Sequence, residues 1–202
     1  MSSMQIAIVV FVVVVALLLA VAAVLLSRRR ALRSRFGPEY DRVMSEQDGR
    51  AAGERELRER ERRHTELNLR PLDATSRDRY IAAWEEIQVR FIDAPNQAVS
   101  KADTLVTELI TARGYPTSEF DQRVADLSVE HAHPLDQYRE AHNIHEANER
   151  GEATTEQLRQ ALVHYRALVT DLLGTESVRH SDIDAPADAA HDRERQPHAP
   201  TR

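Results

Sequence analysis

IAIVVFVVVVALLLAVAAVLL, residues 6–26, contains no charged or strongly polar side chain, and Arg28, Arg29 and Arg30 follow at once. At about 1.5 Å per residue the run from Ile6 to Leu26 covers roughly 30 Å, the hydrocarbon thickness of a bilayer. A backbone in lipid satisfies its own hydrogen bonds only as a helix or a closed barrel, so this segment is predicted to be a transmembrane helix. The β-branched stretch Val12-Val13-Val14-Val15 makes a poor helix in water, but in lipid the cost of exposing peptide groups outweighs propensity. A cleavable signal peptide calls for a basic start, a shorter apolar core and a small-residue cleavage site. Met1–Gln5 holds no Lys or Arg, and the apolar run continues through Val24-Leu25-Leu26 beyond the tripeptide Ala20-Val21-Ala22. An uncleaved anchor fits better. The membrane-proximal basic cluster Arg28, Arg29, Arg30, Arg33 and Arg35 then stays cytoplasmic, with the N-terminus outside and the remainder inside. Those arginines lie at headgroup depth, where anionic lipid attracts them, although a plain topology signal accounts for them too.

Outward from the anchor, composition narrows the classes. The chain has 202 residues, and those from Arg28 onward suffice for one domain with a modest core. With no cysteine there is no disulfide framework, thiolate zinc site or cysteine nucleophile. The formal charge is −6, and the soluble part alone is more acidic once the juxtamembrane arginines are set aside. No nucleic-acid partner is expected of such a surface, which repels phosphate backbones. Lys101 is the only lysine among many arginines, a bias of a GC-rich genome before it is chemistry.

The soluble part reads as helices throughout. Pro38 fits a first helical turn, with Tyr40, Val43 and Met44 as a short apolar stripe. From Glu54 to Arg63 nearly every residue is Glu or Arg. The pairs Glu54–Arg58, Glu56–Arg60 and Glu59–Arg63 are spaced i,i+4 in the favourable order, each worth about 0.2–0.5 kcal/mol. With little beyond Leu57, Leu67 and Leu69 to bury, and no sustained heptads, this helix is predicted to be an exposed, solvated arm rather than a coiled-coil strand. After Pro71, Thr75 and Asp78 suggest a capping box for a helix whose face is Tyr80, Trp84, Ile87 and Phe91. A further helix carries Ala98, Ala102, Leu105 and Leu109 beside Val99, Val106 and Ile110, ended by Gly114 and Pro116. Ser118 and Asp121 are expected to open a shorter one with Phe120, Val124 and Leu127 inward. Leu135, Tyr138, Ala141 and Ile144 mark the next. Thr154 and Gln157 form a capping box for the last, striped by Leu158, Leu162, Tyr165, Val169 and Leu172 and ended by Gly174. No segment alternates with period two. The expected fold is all-α: a transmembrane anchor (1–27), a juxtamembrane arginine cluster with a charged helix (28–70), a helical bundle (71–174) and a disordered tail (175–202).

Histidine is the residue type that suggests a site. His131, His133, His142 and His145 lie close together, with Glu130, Asp136, Glu140 and Glu146 nearby. A His-x-His pair plus two histidines three apart can converge on a metal, but helical zinc pairs favour i,i+4 and no H-E-x-x-H occurs. His142, on an amphipathic helix, fits equally the edge of a core with its ring bonded to a carboxylate, and a histidine so placed can also act as a pH switch. Tyr80, Trp84, Tyr138 and Tyr165 at helical spacing are core rather than a ligand cage. The glycines form no phosphate loop, no Gly-x-Ser-x-Gly is present, and the acidic residues are assigned to outward faces, so no enzyme, cofactor, catalytic residue or metal site is expected.

Arg35-Phe36-Gly37-Pro38-Glu39-Tyr40-Asp41-Arg42, Arg70-Pro71-Leu72, the Tyr115-Pro116 turn and His164-Tyr165-Arg166-Ala167-Leu168 resemble segments of uncharacterised single-pass membrane proteins of actinobacteria, often labelled only "secreted" or "membrane" protein. The resemblance implies a bacterial plasma membrane and transfers no activity or site residue. Taken together, the expectation is a membrane-anchored, non-enzymatic helical protein. It faces the cytoplasm and acts as a protein–protein interaction or scaffold module, with membrane lipid and an unidentified protein as partners. Self-association through the anchor or the charged helix is the nearest variant. The alternative from another class is a metal- or ligand-sensing domain using the histidine-rich span 131–145.

Overall fold

A computed structural model of the protein describes residues 3–174, and the predicted disordered tail lies outside the described residues. Eight helices are present among them and no strand: α1 (Ser3–Phe36), α2 (Pro38–Glu46), α3 (Arg50–Thr65), α4 (Ala74–Asp93), α5 (Pro95–Ala112), α6 (Phe120–Leu127), α7 (Leu135–Glu149) and α8 (Thr155–Leu173). The all-α expectation holds.

α1 does not stop where its apolar run ends. It continues unbroken through the arginines to Phe36, so one helix is bare in its first part and packed in its last. From Phe11 to Leu26 the side chains are exposed, whereas Leu32 and Phe36 are buried. Among the described residues α1 is the one helix long and apolar enough to cross a membrane, and its length and composition fit a membrane span or a signal sequence. Gly37, at φ +47°, breaks the helix, and Pro38 begins α2 at the position where its missing N–H costs nothing.

The charged helix is not an exposed arm. α3 packs on α1 and α2, and its Leu57 is fully buried in a small core with Leu32, Phe36, Tyr40, Val43 and Val129. Gly53, a turn earlier, leaves the space that the end of the Met44 side chain from α2 fills. The expected ion pairs form, Arg58–Glu54 at 3.1 Å and Arg60–Glu56 at 2.9 Å, with Arg63–Glu59 longer at 3.8 Å.

The larger core joins α4, α5, α7 and α8. α5 sits against α4, α8 and α7, and α7 packs on α8 as well. The predicted stripes are its contents: Tyr80, Trp84 and Ile87 from α4, Ala98 to Ile110 from α5, Tyr138 and Ile144 from α7, Leu158 to Leu172 from α8. Ile92, next to the last residue of the predicted α4 stripe, is 81% exposed. The capping box of α8 forms as predicted, Gln157 N–H donating to Thr154 Oγ1 and Thr154 N–H to Gln157 Oε1. That of α4 is displaced. Asp73, not Thr75, caps the helix by accepting from the backbone and hydroxyl of Ser76 at 2.8 and 2.9 Å. α6 likewise starts at Phe120 without a side-chain cap: its N-cap position is Glu119, not Ser118, whose carbonyl accepts from Arg123.

Gly114 links the two cores. At φ +96° it turns the chain after α5, and a Cβ there would stand 2.4 Å from the Asn68 carbonyl oxygen of the α3–α4 connection. Beside it Arg70 N–H donates to the Arg113 carbonyl at 3.0 Å. Only glycine satisfies both the left-handed backbone and the close approach.

Candidate functional site

The connection between the two cores is ionic and buried. Glu39, on the inward side of α2 between Phe36 and Val43, is 1% exposed. Its two oxygens accept from Arg139 of α7 at 2.5 and 2.7 Å, a bidentate pair, and Arg60 of α3 stands 4.0 Å from the same carboxylate. Burial by itself pulls Arg139 down, but the hydrogen bond and charge of Glu39 outweigh it and hold the guanidinium above its ordinary value. Arg42 extends the seam, bonding Glu46 at 2.9 Å and Asp136 at 3.3 Å.

Along this seam runs a groove of about 740 Å³ between α2 and α6–α7. Arg42, Arg60 and Arg139 line one part, and Glu46, Glu119, Asp121 and Glu146 line others, with Phe120 and His142 between them. His142 lies flat on Phe120, ring centroids 3.8 Å apart and planes within 8°. Behind it Asp103 of α5 accepts from the Tyr165 hydroxyl at 2.8 Å and faces His142 Nδ1 at 3.4 Å and His145 Nε2 at 3.8 Å. Burial alone would raise the Asp103 carboxyl; the bonds to His142 and Tyr165 and the nearby imidazoles outweigh it and hold the carboxyl below its usual range. Burial, then the Asp103 charge, drive the Tyr165 hydroxyl upward, so it remains a donor.

The histidine span does not converge. His142 and His145 turn to Asp103. His131 instead meets Asp171 at 2.5 Å and the edge of Tyr115, and exposed His133 lies beside Gly37. Among the described residues no group of three His, Asp or Glu side chains is placed to hold a metal. The core-edge reading of His142, bonded to a carboxylate, agrees with its position, as does the core reading of Tyr80, Trp84, Tyr138 and Tyr165. The basic cluster divides. Arg29 pairs with Glu54, Arg33 with Asp41 and Arg35 with Glu61, while Arg28 and Arg30 are exposed and have no acidic partner among the described residues.

Assigning the acids to outward faces is corrected for Glu39, Glu54 and Asp126, which are buried, and for Asp103, whose side chain is 19% exposed. A local signal existed. Asp103 falls on the apolar ladder Val99, Val106, Ile110 and Glu39 on the ladder Phe36, Val43, where a carboxylate has to find a partner. Asp103→Asn is expected to lower stability by about 1–3 kcal/mol at about pH 7, since one carbonyl oxygen remains for Tyr165 but the charge is lost and an NH2 donor replaces the second oxygen toward the histidines. Because the folded carboxyl ionises at lower pH than the unfolded one, its stabilisation is complete above about pH 4 and drains as pH falls through the folded value. Urea denaturation across that range should therefore show a shallower acid loss in Asp103→Asn than in the parent. Equal acid limbs would remove Asp103 from the account.

No family model, curated protein or solved structure matches the chain. The site accordingly stands on its own geometry.

Proposed function

We propose that this is a bitopic membrane protein without enzymatic activity, whose groove between α2 and α6–α7 docks a polar segment of a protein partner beside the bilayer. The proposal rests above all on the packing of α3. With that helix folded onto α1 and α2, the groove becomes a rigid concave surface, attached without a flexible linker to the apolar helix. Its walls carry charges of both signs around a stacked Phe120–His142 face, suited to a peptide that brings its own ion pairs. An anchored module of this kind raises its partner's local concentration. Arg28, Arg29, Arg30, Arg33 and Arg35 support an orientation with the soluble helices in the cytoplasm of a bacterial plasma membrane, which the actinobacterial resemblance also favours.

A photo-crosslinking residue at Asn143, in the groove wall, tests this in cells. The expected outcome is a discrete protein adduct in the membrane fraction, on full-length chain, that disappears when Arg42 is changed to Glu. An adduct indifferent to Arg42, or a chain recovered from the medium without its apolar helix, would contradict it.

A further inference from the structure

The arginines of α3 are engaged unevenly. Arg58, Arg60, Arg62 and Arg63 each meet a glutamate. Arg50 and Arg55, nearer its start, make no ion pair or side-chain hydrogen bond among the described residues, and neither do Arg28 and Arg30 of α1; all four are exposed. The ion pairs that do form fix where these groups sit. Arg29 meets Glu54 at 3.0 Å and Arg35 meets Glu61 at 3.5 Å, so α3 runs parallel to α1. In that register Arg50 lies level with Val24–Leu25 and Arg55 level with Arg29–Arg30. The backbone positions of these four arginines thus span about 8 Å along α1, at 1.5 Å rise per residue, around the end of its apolar run. Asp48 is the one carboxylate near that level without a cationic partner among the described residues. Glu54 is held by Arg29 and Arg58, and Glu46 by Arg42.

We propose that Arg50 and Arg55 of α3 join Arg28 and Arg30 of α1 in a collar that binds the phosphates of anionic lipid headgroups. The proposal rests on α1 being a retained membrane span. The complement is chemical and positional: unpaired cations at the end of an apolar helix, on side chains long enough to reach the lipid phosphates just beyond it. α3 is then held to the bilayer surface as well as to α1, and the groove behind it acquires a fixed orientation to the membrane.

Since the chain has no cysteine, Ala51→Cys, at an exposed position beside Arg50, gives a single labelling site for a fluorophore on the full-length protein. The labelled protein is placed in phosphatidylcholine nanodiscs containing a small fraction of headgroup-nitroxide lipid, either phosphatidylglycerol or phosphatidylcholine. Phosphatidylglycerol is expected to quench more strongly at equal fraction. Arg50→Gln with Arg55→Gln should reduce that preference by about fivefold per arginine, the equivalent of about 1 kcal/mol each. Equal quenching by the two lipids, or a preference untouched by the double substitution, overturns the collar while leaving the anchor intact. Protein eluting apart from the nanodiscs overturns the anchor and the collar together.

Discussion

Replacing Arg139 with methionine is expected to destabilise the protein by about 3–5 kcal/mol, the usual result of stripping one partner from a buried ion pair. Glu39 would be left buried at 1% exposure with only Arg60, 4.0 Å away, to answer it. The compensated variant Glu39→Leu/Arg139→Met should recover most of that loss, because a matched apolar pair avoids desolvating two charges. Denaturant titration of the full chain in detergent, completed as a double-mutant cycle, measures both effects. A single variant within about 1 kcal/mol of the parent would mean that the pair does not join the two cores.

Leu57→Ala is expected to cost about 2–5 kcal/mol, the range for a fully buried leucine whose cavity only partly collapses. The result separates two pictures of α3. A solvated arm would tolerate alanine without loss and even gain a little helix propensity. A helix seated on Leu32, Phe36, Tyr40 and Val43 should loosen along its whole length, so hydrogen exchange of its amides should accelerate well beyond that of α5 or α8. Uniform acceleration across all helices would instead indicate one cooperative core.

Where burial follows from a repeated apolar spacing, the sequence was readable. α5 and α8 present a residue to the core at nearly every third or fourth position, and Thr154 with Gln157 marks the start of α8 without ambiguity. α3 offered no such stripe. Its docking depends on a single leucine, on the missing side chain at Gly53 and on what α1 and α2 present to it, none of which local periodicity encodes. The candidate site was harder still. Glu39 and Arg139 lie 100 positions apart, so neither spacing nor composition connects them. The carboxylates at Glu39 and Asp103 were visible as polar interruptions of apolar ladders, but their partners were not. The histidines, conspicuous in the sequence, are separated because His131 and His133 precede α7 while His142 and His145 lie on it, turned toward α5.

Neither glycine nor proline interrupts Ser3–Phe36, so the bare and packed portions of that helix must lean together. On the proposed reading, with its apolar length seated in lipid, a thicker or thinner bilayer that changes its inclination would act on the attached domain against the restraint of the arginine collar. On that reading lipid composition becomes a mechanical input, biasing how squarely the proposed docking groove faces proteins approaching along the membrane plane.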